Sequence, residues 1–158
     1  MGNVFAGSEI VEIGIQIEKN GKEFYNEVAA RSKDPKAKKI FEYLAGEEEK
    51  HITAFQNILA SVHEYKPVDA YPGEYFAYMN ALASEHVFTQ EHTGKDVAQS
   101  TESDMEAIEL AIKFEKDSII FYEGMKKVVL EREHKVLQDL IDQEQEHLRK
   151  LTEFKKEL

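Results

Sequence analysis

Two short segments organise the chain: Glu48-Glu49-Lys50-His51 and Glu144-Gln145-Glu146-His147, which share the pattern Glu-x-x-His. Because residues three apart lie on the same face of an α-helix, each segment would present a carboxylate beside an imidazole. A third copy, Glu131-Arg132-Glu133-His134, shows that the pattern alone carries little weight in a chain this rich in glutamate. The sequence around the first two copies makes them informative.

These two segments belong to an internal repeat. Residues 17–25 (Ile-Glu-Lys-Asn-Gly-Lys-Glu-Phe-Tyr) align with residues 114–122 (Phe-Glu-Lys-Asp-Ser-Ile-Ile-Phe-Tyr) at nearly the same offset that separates the two Glu-x-x-His segments. In this register Glu18 corresponds to Glu115, and Tyr25 corresponds to Tyr122. With only two units, the repeat predicts a helix pair used twice rather than a solenoid.

The position of the turns decides which residues of each helix pair lie level. Residues 33–35 read Lys-Asp-Pro, where Asp is a favoured N-cap residue and Pro favours the first helical position. This turn lies midway between Glu18 and Glu48, so antiparallel helices would bring both carboxylates about 22 Å from it, at ~1.5 Å per residue. The midpoint between Glu115 and Glu144 likewise puts the second turn near residues 129–130. Two packed hairpins would therefore hold four Glu and two His in one layer.

Apolar residues spaced three or four apart predict four amphipathic helices, and members of the charged layer interrupt each apolar stripe. We predict N-caps at Ser8 for the first helix and at Thr101 or Ser103 for the third. The four predicted helices cover about residues 9–32, 35–63, 104–129 and 133–156.

Residues 64–103 form a long crossover between the two hairpins. Within it, residues 74–84 are predicted to form a short extra helix, whereas the polar run of residues 93–100 has the composition of a loop. We therefore predict an all-α chain, an antiparallel four-helix bundle of two repeated hairpins, folded as a single domain over residues 1–158.

Composition excludes several classes of site and partner. The chain has no cysteine, which excludes disulfides, Cys-ligated zinc and iron–sulfur clusters. Its 20 basic and 31 acidic residues give a net charge of −11, which disfavours nucleic acid as a partner. Neither a signal-peptide pattern nor an apolar run of membrane-spanning length occurs. We therefore expect no membrane partner and, by default, a cytoplasmic location.

Four inward carboxylates need positive charge, because burying them unpaired is costly or forces their protonation. Two divalent cations would balance the four negative charges while both histidines stay neutral ligands. Carboxylate-rich sites with a few imidazoles suit iron and manganese, and zinc can also occupy them. We therefore expect two metal ions per chain, iron first, with manganese and zinc as alternatives.

On these residues, the chain resembles the rubrerythrin branch of the ferritin-like di-iron carboxylate proteins, over residues 8–62 and 103–156. The resemblance implies that the Glu of each Glu-x-x-His bridges two metals, that its His caps one metal, and that the two remaining Glu are terminal ligands. The metal ligands so implied are Glu18, Glu48, His51, Glu115, Glu144 and His147. It also implies that Tyr25 and Tyr122 are functional tyrosines beside the ligands, although a purely structural core role stays open.

Two departures from rubrerythrins affect the expected chemistry. Rubrerythrins proper carry a Cys-ligated rubredoxin iron that supplies electrons, so here the electron donor must be a separate protein. They also carry a further Glu three residues after the third-helix ligand, where this chain has Ser118; the matching first-helix position is Gly21. These small residues could leave room for a small ligand at the metals.

Three functions stay open on sequence alone: a redox enzyme that reduces peroxide or dioxygen, an iron oxidation and storage protein, and a metal-stabilised bundle that binds a partner. We expect the first, as a homodimer. Glu47 and Gln143 precede the two bridging Glu and could either bond a histidine or face solvent. The remaining histidines are expected at the surface; they are His63, His86, His92 and His134.

Overall fold

The computed structural model describes residues 7–64, 73–88 and 92–158, and every regular element within these ranges is helical. The elements are α1 (Gly7–Arg31), α2 (Pro35–Glu64), α3 (Gly73–Glu85), α4 (Gly94–Gln99), α5 (Asp104–Met125), a 3₁₀ turn (Glu131–Glu133) and α6 (His134–Glu157). The all-α prediction is confirmed. Residues 1–6 and two parts of the crossover, residues 65–72 and 89–91, lie outside the described residues.

Both predicted hairpins are present. The first joins α1 to α2 through residues 32–34, and Asp34 Oδ1 accepts a hydrogen bond from Lys36 N at 2.8 Å, in the first turn of α2. The second joins α5 to α6 through residues 126–133. Helix α5 ends at Met125 rather than near residue 129, because the chain tightens there: Val128 N donates to Met125 O at 3.0 Å. The α1–α2 and α5–α6 pairs then pack against each other as a four-helix bundle.

The helix starts differ partly from the prediction. Helix α1 begins at Gly7, so Ser8 lies inside its first turn instead of capping it. Ser103 is the N-cap of α5, and its side chain accepts from Glu106 N at 3.1 Å. Thr101 instead donates its hydroxyl to Ala98 O at 2.7 Å, which leaves Ser103 as the capping residue.

Helix α3 is the predicted extra helix of the crossover, and it lies along α5. Tyr75 donates its hydroxyl to Gly124 O at 2.7 Å, and Met79 is buried against the same glycine, where a Cβ atom would come within 2.5 Å of Met79 Sδ. A glycine at residue 124 thus lets the crossover helix approach the bundle closely.

A second crossover helix, α4, corrects the prediction that residues 93–100 form a loop. Thr93 caps this helix by accepting from Asp96 N at 3.3 Å. Gly94 packs so closely on α1 that a Cβ atom there would overlap the carbonyl oxygen of Asn20. The polar composition was misleading because α4 is short and gains its stability from docking on α1 rather than from an apolar stripe.

The described interior is mainly apolar, and its buried charged groups lie at one level. Among its buried aliphatic side chains lie five phenylalanine rings with no exposed surface, namely Phe24, Phe41, Phe55, Phe114 and Phe121. At mid-height, however, four fully buried glutamates contributed by α1, α2, α5 and α6 replace the apolar side chains. Within the described residues, no helix has both the length and the apolar character needed to cross a membrane.

Candidate metal centre

The structure brings together all six residues that the sequence singled out as ligands. They form two groups, and in each group one ligand atom per residue lies within 4.8 Å of the others. The first group is Glu18, Glu48, His51 and Glu144, and the second is Glu48, Glu115, Glu144 and His147. Two adjacent sites that share Glu48 and Glu144 would fit this arrangement.

The six side chains are cut off from water. The four carboxylates are 0% exposed and both imidazoles are 1% exposed. Among the described residues, eight buried side-chain atoms have no hydrogen-bond partner, and all eight belong to these six residues. Buried polar groups in proteins are nearly always partnered, so eight such atoms in one place form a donor set suited to a positively charged partner. This donor set fits divalent cations.

Both histidines point Nδ1 into the cluster. His51 Nδ1 lies 2.9 Å from Glu144 Oε1 and 3.5 Å from Glu18 Oε2. His147 Nδ1 lies 3.6 Å from Glu144 Oε1 and 3.8 Å from Glu115 Oε1. The two rings are stacked, with centroids 5.8 Å apart. Each imidazole therefore offers Nδ1 as the metal-binding atom.

The outward nitrogen of each histidine faces a residue of the opposite hairpin. Gln143 Oε1 lies 2.9 Å from His51 Nε2, and Glu47 Oε1 lies 3.7 Å from His147 Nε2. Because an amide oxygen can only accept, His51 carries a proton on Nε2 and leaves Nδ1 for a metal. Of the two alternatives left open by the sequence, the structure places Glu47 and Gln143 beside the histidines.

The two repeat tyrosines cross between the hairpins. Tyr25 donates its hydroxyl to Glu115 Oε1 at 2.7 Å, and Tyr122 donates to Glu18 Oε1 at 2.5 Å. Burial, reinforced by the neighbouring carboxylates, raises the pKa of both phenols well above the ordinary value, so both stay protonated donors. Each tyrosine donates to one carboxylate oxygen and leaves the other, Oε2, without a hydrogen-bond partner among the described residues.

Without cations, the cluster must hold protons instead. Burial and the charge of Glu144 raise the pKa of Glu18 to about 6, and burial raises the pKa of Glu115 well above its ordinary value. Burial acts in the same direction on Glu144, but its contacts with His147 and His51 hold the pKa of Glu144 well below its usual range. Burial disfavours a charged His51, yet the surrounding carboxylates raise its pKa to about 11. The site therefore has a strong demand for positive charge.

His86 is not at the surface, and that prediction is wrong. Its side chain is 3% exposed, its ring centroid lies 5.7 Å from that of Phe114, and its Nε2 lies 3.2 Å from Ser118 Oγ. The apolar Val87-Phe88 pair that follows it in the crossover was the available signal for burial. His92 is exposed and His134 is half-buried, while the side chain of His63 lies outside the described residues.

The expectation that small residues leave room for a ligand is not met at Gly21. A Cβ atom at that position would come within 2.5 Å of Phe114 Cζ, so the phenyl ring already fills the space. The third Glu-x-x-His, at residues 131–134, lies at the 3₁₀ turn and the start of α6, away from the six-residue cluster. The repeat register, and not the motif itself, identified the residues that meet.

Comparison with known proteins places this geometry in a family. The family model described as Rubrerythrin matches residues 9–155. A crystal structure from Thermotoga maritima, described as a ferritin-like diiron-carboxylate protein, is 29% identical with a TM-score of 0.74, over 97% of this chain and 96% of that chain. No curated protein matches the chain. With a helical bundle over its described residues and a Rubrerythrin match along nearly its whole length, the chain belongs to the rubrerythrin family and has a ferritin-like fold.

Proposed function

We propose that this protein binds two metal ions, iron first, and that it is a redox enzyme that reduces peroxide or dioxygen with electrons from a separate donor protein. The observation that carries the proposal is the set of eight buried, unpartnered atoms. The proposed ligands are the six residues that own these atoms, namely Glu18, Glu48, His51, Glu115, Glu144 and His147.

Charge supports two ions rather than one. Four buried carboxylates carry four negative charges when ionised, and two divalent cations neutralise them without protonating His51 or His147. The Rubrerythrin family and the diiron description of the Thermotoga maritima relative support iron over manganese and zinc. When bound, an iron pair would supply electrons to the oxidant.

The residues divide into roles by their positions. Glu48 and Glu144 belong to both groups and would bridge the two ions, whereas each of the other four ligands belongs to one group. Tyr25 and Tyr122 donate to Oε1 of Glu115 and Glu18, which would leave Oε2 of each carboxylate to hold an ion. Complete burial of the ligands keeps bulk water away from the reacting layer.

Metal analysis of a matched pair of variants tests metal binding. We expect about two metal ions per chain in the wild type and a loss of metal in Glu144→Ala, because that substitution removes a ligand common to both groups. Glu146→Ala is the control, since Glu146 lies on the same helix but is exposed and paired with Arg149. A wild-type protein that holds no metal after refolding with iron, manganese and zinc would refute the proposal.

Single-turnover oxidation tests the redox part. The iron-loaded protein, reduced without oxygen, should be reoxidised by peroxide or dioxygen and should return to the reduced state when a reductant is supplied again. Oxidation that occurs once and deposits iron in the protein would favour the alternative, iron oxidation and storage.

Native size separates the same two functions. Storage requires a large hollow oligomer, whereas we propose a homodimer that works with a small oxidant and a donor protein, without nucleic acid or membrane. The crossover residues that the structure describes pack on their own bundle through α3 and α4, which supports a small assembly. A shell-sized particle in gel filtration would favour storage.

A further inference from the structure

The crossover residue His86 lies beside Ser118 of α5, the helix that carries the ligand Glu115. His86 itself belongs to neither ligand group. His86 follows α3 directly and is 3% exposed. Phe88 N donates a hydrogen bond to His86 Nδ1 at 3.1 Å. A peptide N–H can only donate, so Nδ1 must be the unprotonated nitrogen, and the neutral ring must carry its proton on Nε2.

Ser118 is positioned to accept that proton. His86 Nε2 lies 3.2 Å from Ser118 Oγ, and Ser118 is 0% exposed. Burial lowers the pKa of His86 to about 4, so the ring is neutral near neutral pH and its tautomer is set by Phe88. Nε2–H therefore donates to the serine oxygen, and the serine hydroxyl must direct its own proton elsewhere.

Ser118 lies between two residues that contact the cluster. On α5 it follows Glu115 by three residues and precedes Tyr122 by four, so all three share one face of the helix. Glu115 belongs to the second ligand group, and Tyr122 donates to Glu18. Ser118 therefore lies about one helical turn from the ligand Glu115, on the same face of α5.

The neighbours hold the histidine in place from both sides. Val87 N donates to Asp117 Oδ2 at 3.1 Å, which fixes the backbone next to the ring. The Phe88 ring packs on Phe24 and Phe114 with centroids 5.4 and 4.9 Å away. The pair is thus a rigid, uncharged arrangement about one helical turn from the ligand Glu115.

We propose that His86 is a positioning residue that holds the Ser118 hydroxyl as a hydrogen-bond donor toward a small ligand of the metal pair, peroxide during turnover and azide as a probe. The inference rests on the proposed metal binding. An uncharged hydrogen-bond donor stabilises an anionic ligand such as azide, whereas a carboxylate in the same place would repel it.

Azide titration of the iron-loaded, air-oxidised protein tests the pair, after the metal content of each variant has been measured. We expect Ser118→Ala and His86→Phe each to weaken azide binding by about fivefold, the equivalent of one ordinary hydrogen bond. Because both substitutions remove the same oriented donor, the double variant should lose no more than either single variant. Unchanged azide affinity in variants that hold two metal ions would overturn the proposal, and so would additive losses.

Conservative variants separate positioning from packing. Ser118→Thr keeps the hydroxyl and His86→Gln can place an amide N–H near the position of Nε2, so both should retain most of the affinity. His134→Phe is the control, since His134 lies at the start of α6, about 15 Å along the helix from Glu144. If His86→Phe and Ser118→Ala instead lose the metals, the pair supports the ligands rather than a bound anion, which also contradicts the proposal.

A measurement on metal-free protein distinguishes failure of this inference from failure of the proposed function. Nitrogen-15 NMR of the imidazole should show His86 with Nε2 protonated and Nδ1 bare, and Ser118→Ala should shift the Nε2 resonance without changing the tautomer. A protonated Nδ1, or a resonance indifferent to Ser118, would overturn the positioning role whether or not metal binds. A wild type without metal but with this tautomer would refute the metal proposal, and with it the ligand-binding role of the pair.

Discussion

Two tyrosine hydroxyls donate hydrogen bonds to Glu18 and Glu115, the two carboxylates that each belong to a single ligand group. Tyr122 donates to Glu18 and Tyr25 donates to Glu115, so each hairpin stabilises a charged residue of the other. A buried acceptor that loses its donor costs about 1–3 kcal/mol, since no water replaces the lost bond. At the scale of single residues, these contacts tie the ligand layer to the packing of the bundle.

We therefore predict that Tyr122→Phe lowers the free energy of unfolding of the metal-loaded protein by about 1–3 kcal/mol while two ions remain bound. Urea denaturation of the metal-loaded protein is the measurement. Tyr78→Phe is the matched control, because Tyr78 is 51% exposed and should change the stability little. A Tyr122→Phe variant as stable as Tyr78→Phe would show that the phenol does not support the carboxylate.

At the scale of elements, the approach of α1 to α5 depends on a glycine. Gly21 lies one turn after Glu18, and the Phe114 ring from α5 occupies the space that a side chain would need. Overpacking a well-filled core typically costs about 1–3 kcal/mol, because side chains must leave their preferred rotamers. This ring is also a neighbour of His86, and the centroids of the two rings lie 5.7 Å apart.

Gly21→Ala should therefore destabilise the protein by about 1–3 kcal/mol. Gly46→Ala is the control: Gly46 lies within α2, and no atom lies within 4 Å of a Cβ built there. That control should instead stabilise the protein by about 0.5–1 kcal/mol, since alanine is the better helix former. Thermal melting of both variants decides, and equal shifts in the same direction would contradict the tight α1–α5 contact.

The sequence predicted the four long helices and the six clustered residues because two regular signals carry them. Apolar spacing of three or four residues identifies a helix face, and the repeat register shows which charged residues share a level. Helix α4 had no such signal, and the burial of His86 was indicated only by the short apolar pair Val87-Phe88. Both depend on contacts between residues far apart in the chain, Gly94 with Asn20 and His86 with Ser118, which local patterns do not encode.

At the scale of the whole molecule, the metal-free protein should lose stability as pH rises. Glu18 has an ordinary pKa of 4.5 when unfolded and about 6 when folded, so its protonated form stabilises the fold below pH 4.5, and that contribution is lost by about pH 6. The pKa of Glu115 is raised in the same sense, and that of His51 rises from 6.5 to about 11, which extends the loss above neutral pH. The lowered pKa of Glu144 acts oppositely, but only below pH 4.5.

Melting temperatures of metal-free and metal-loaded protein between pH 4.5 and 8 check this sign. We expect the metal-free value to fall across this range, whereas the loaded protein, whose carboxylates are held ionised, should not show that fall. Glu18→Gln should flatten the lower part of the metal-free curve, between pH 4.5 and about 6. Metal-free and loaded curves that rise in parallel with pH would contradict the buried carboxylate layer.

The most direct test of the account is anomalous X-ray scattering at the iron edge from crystals of iron-loaded protein. The account predicts two strong peaks in the bundle interior, one at each ligand group, with the carboxylates of Glu48 and Glu144 between them. A structure with no anomalous peak at these residues, or with peaks only at the exposed acidic side chains of the surface, would contradict the central claim that this buried layer is a two-metal centre.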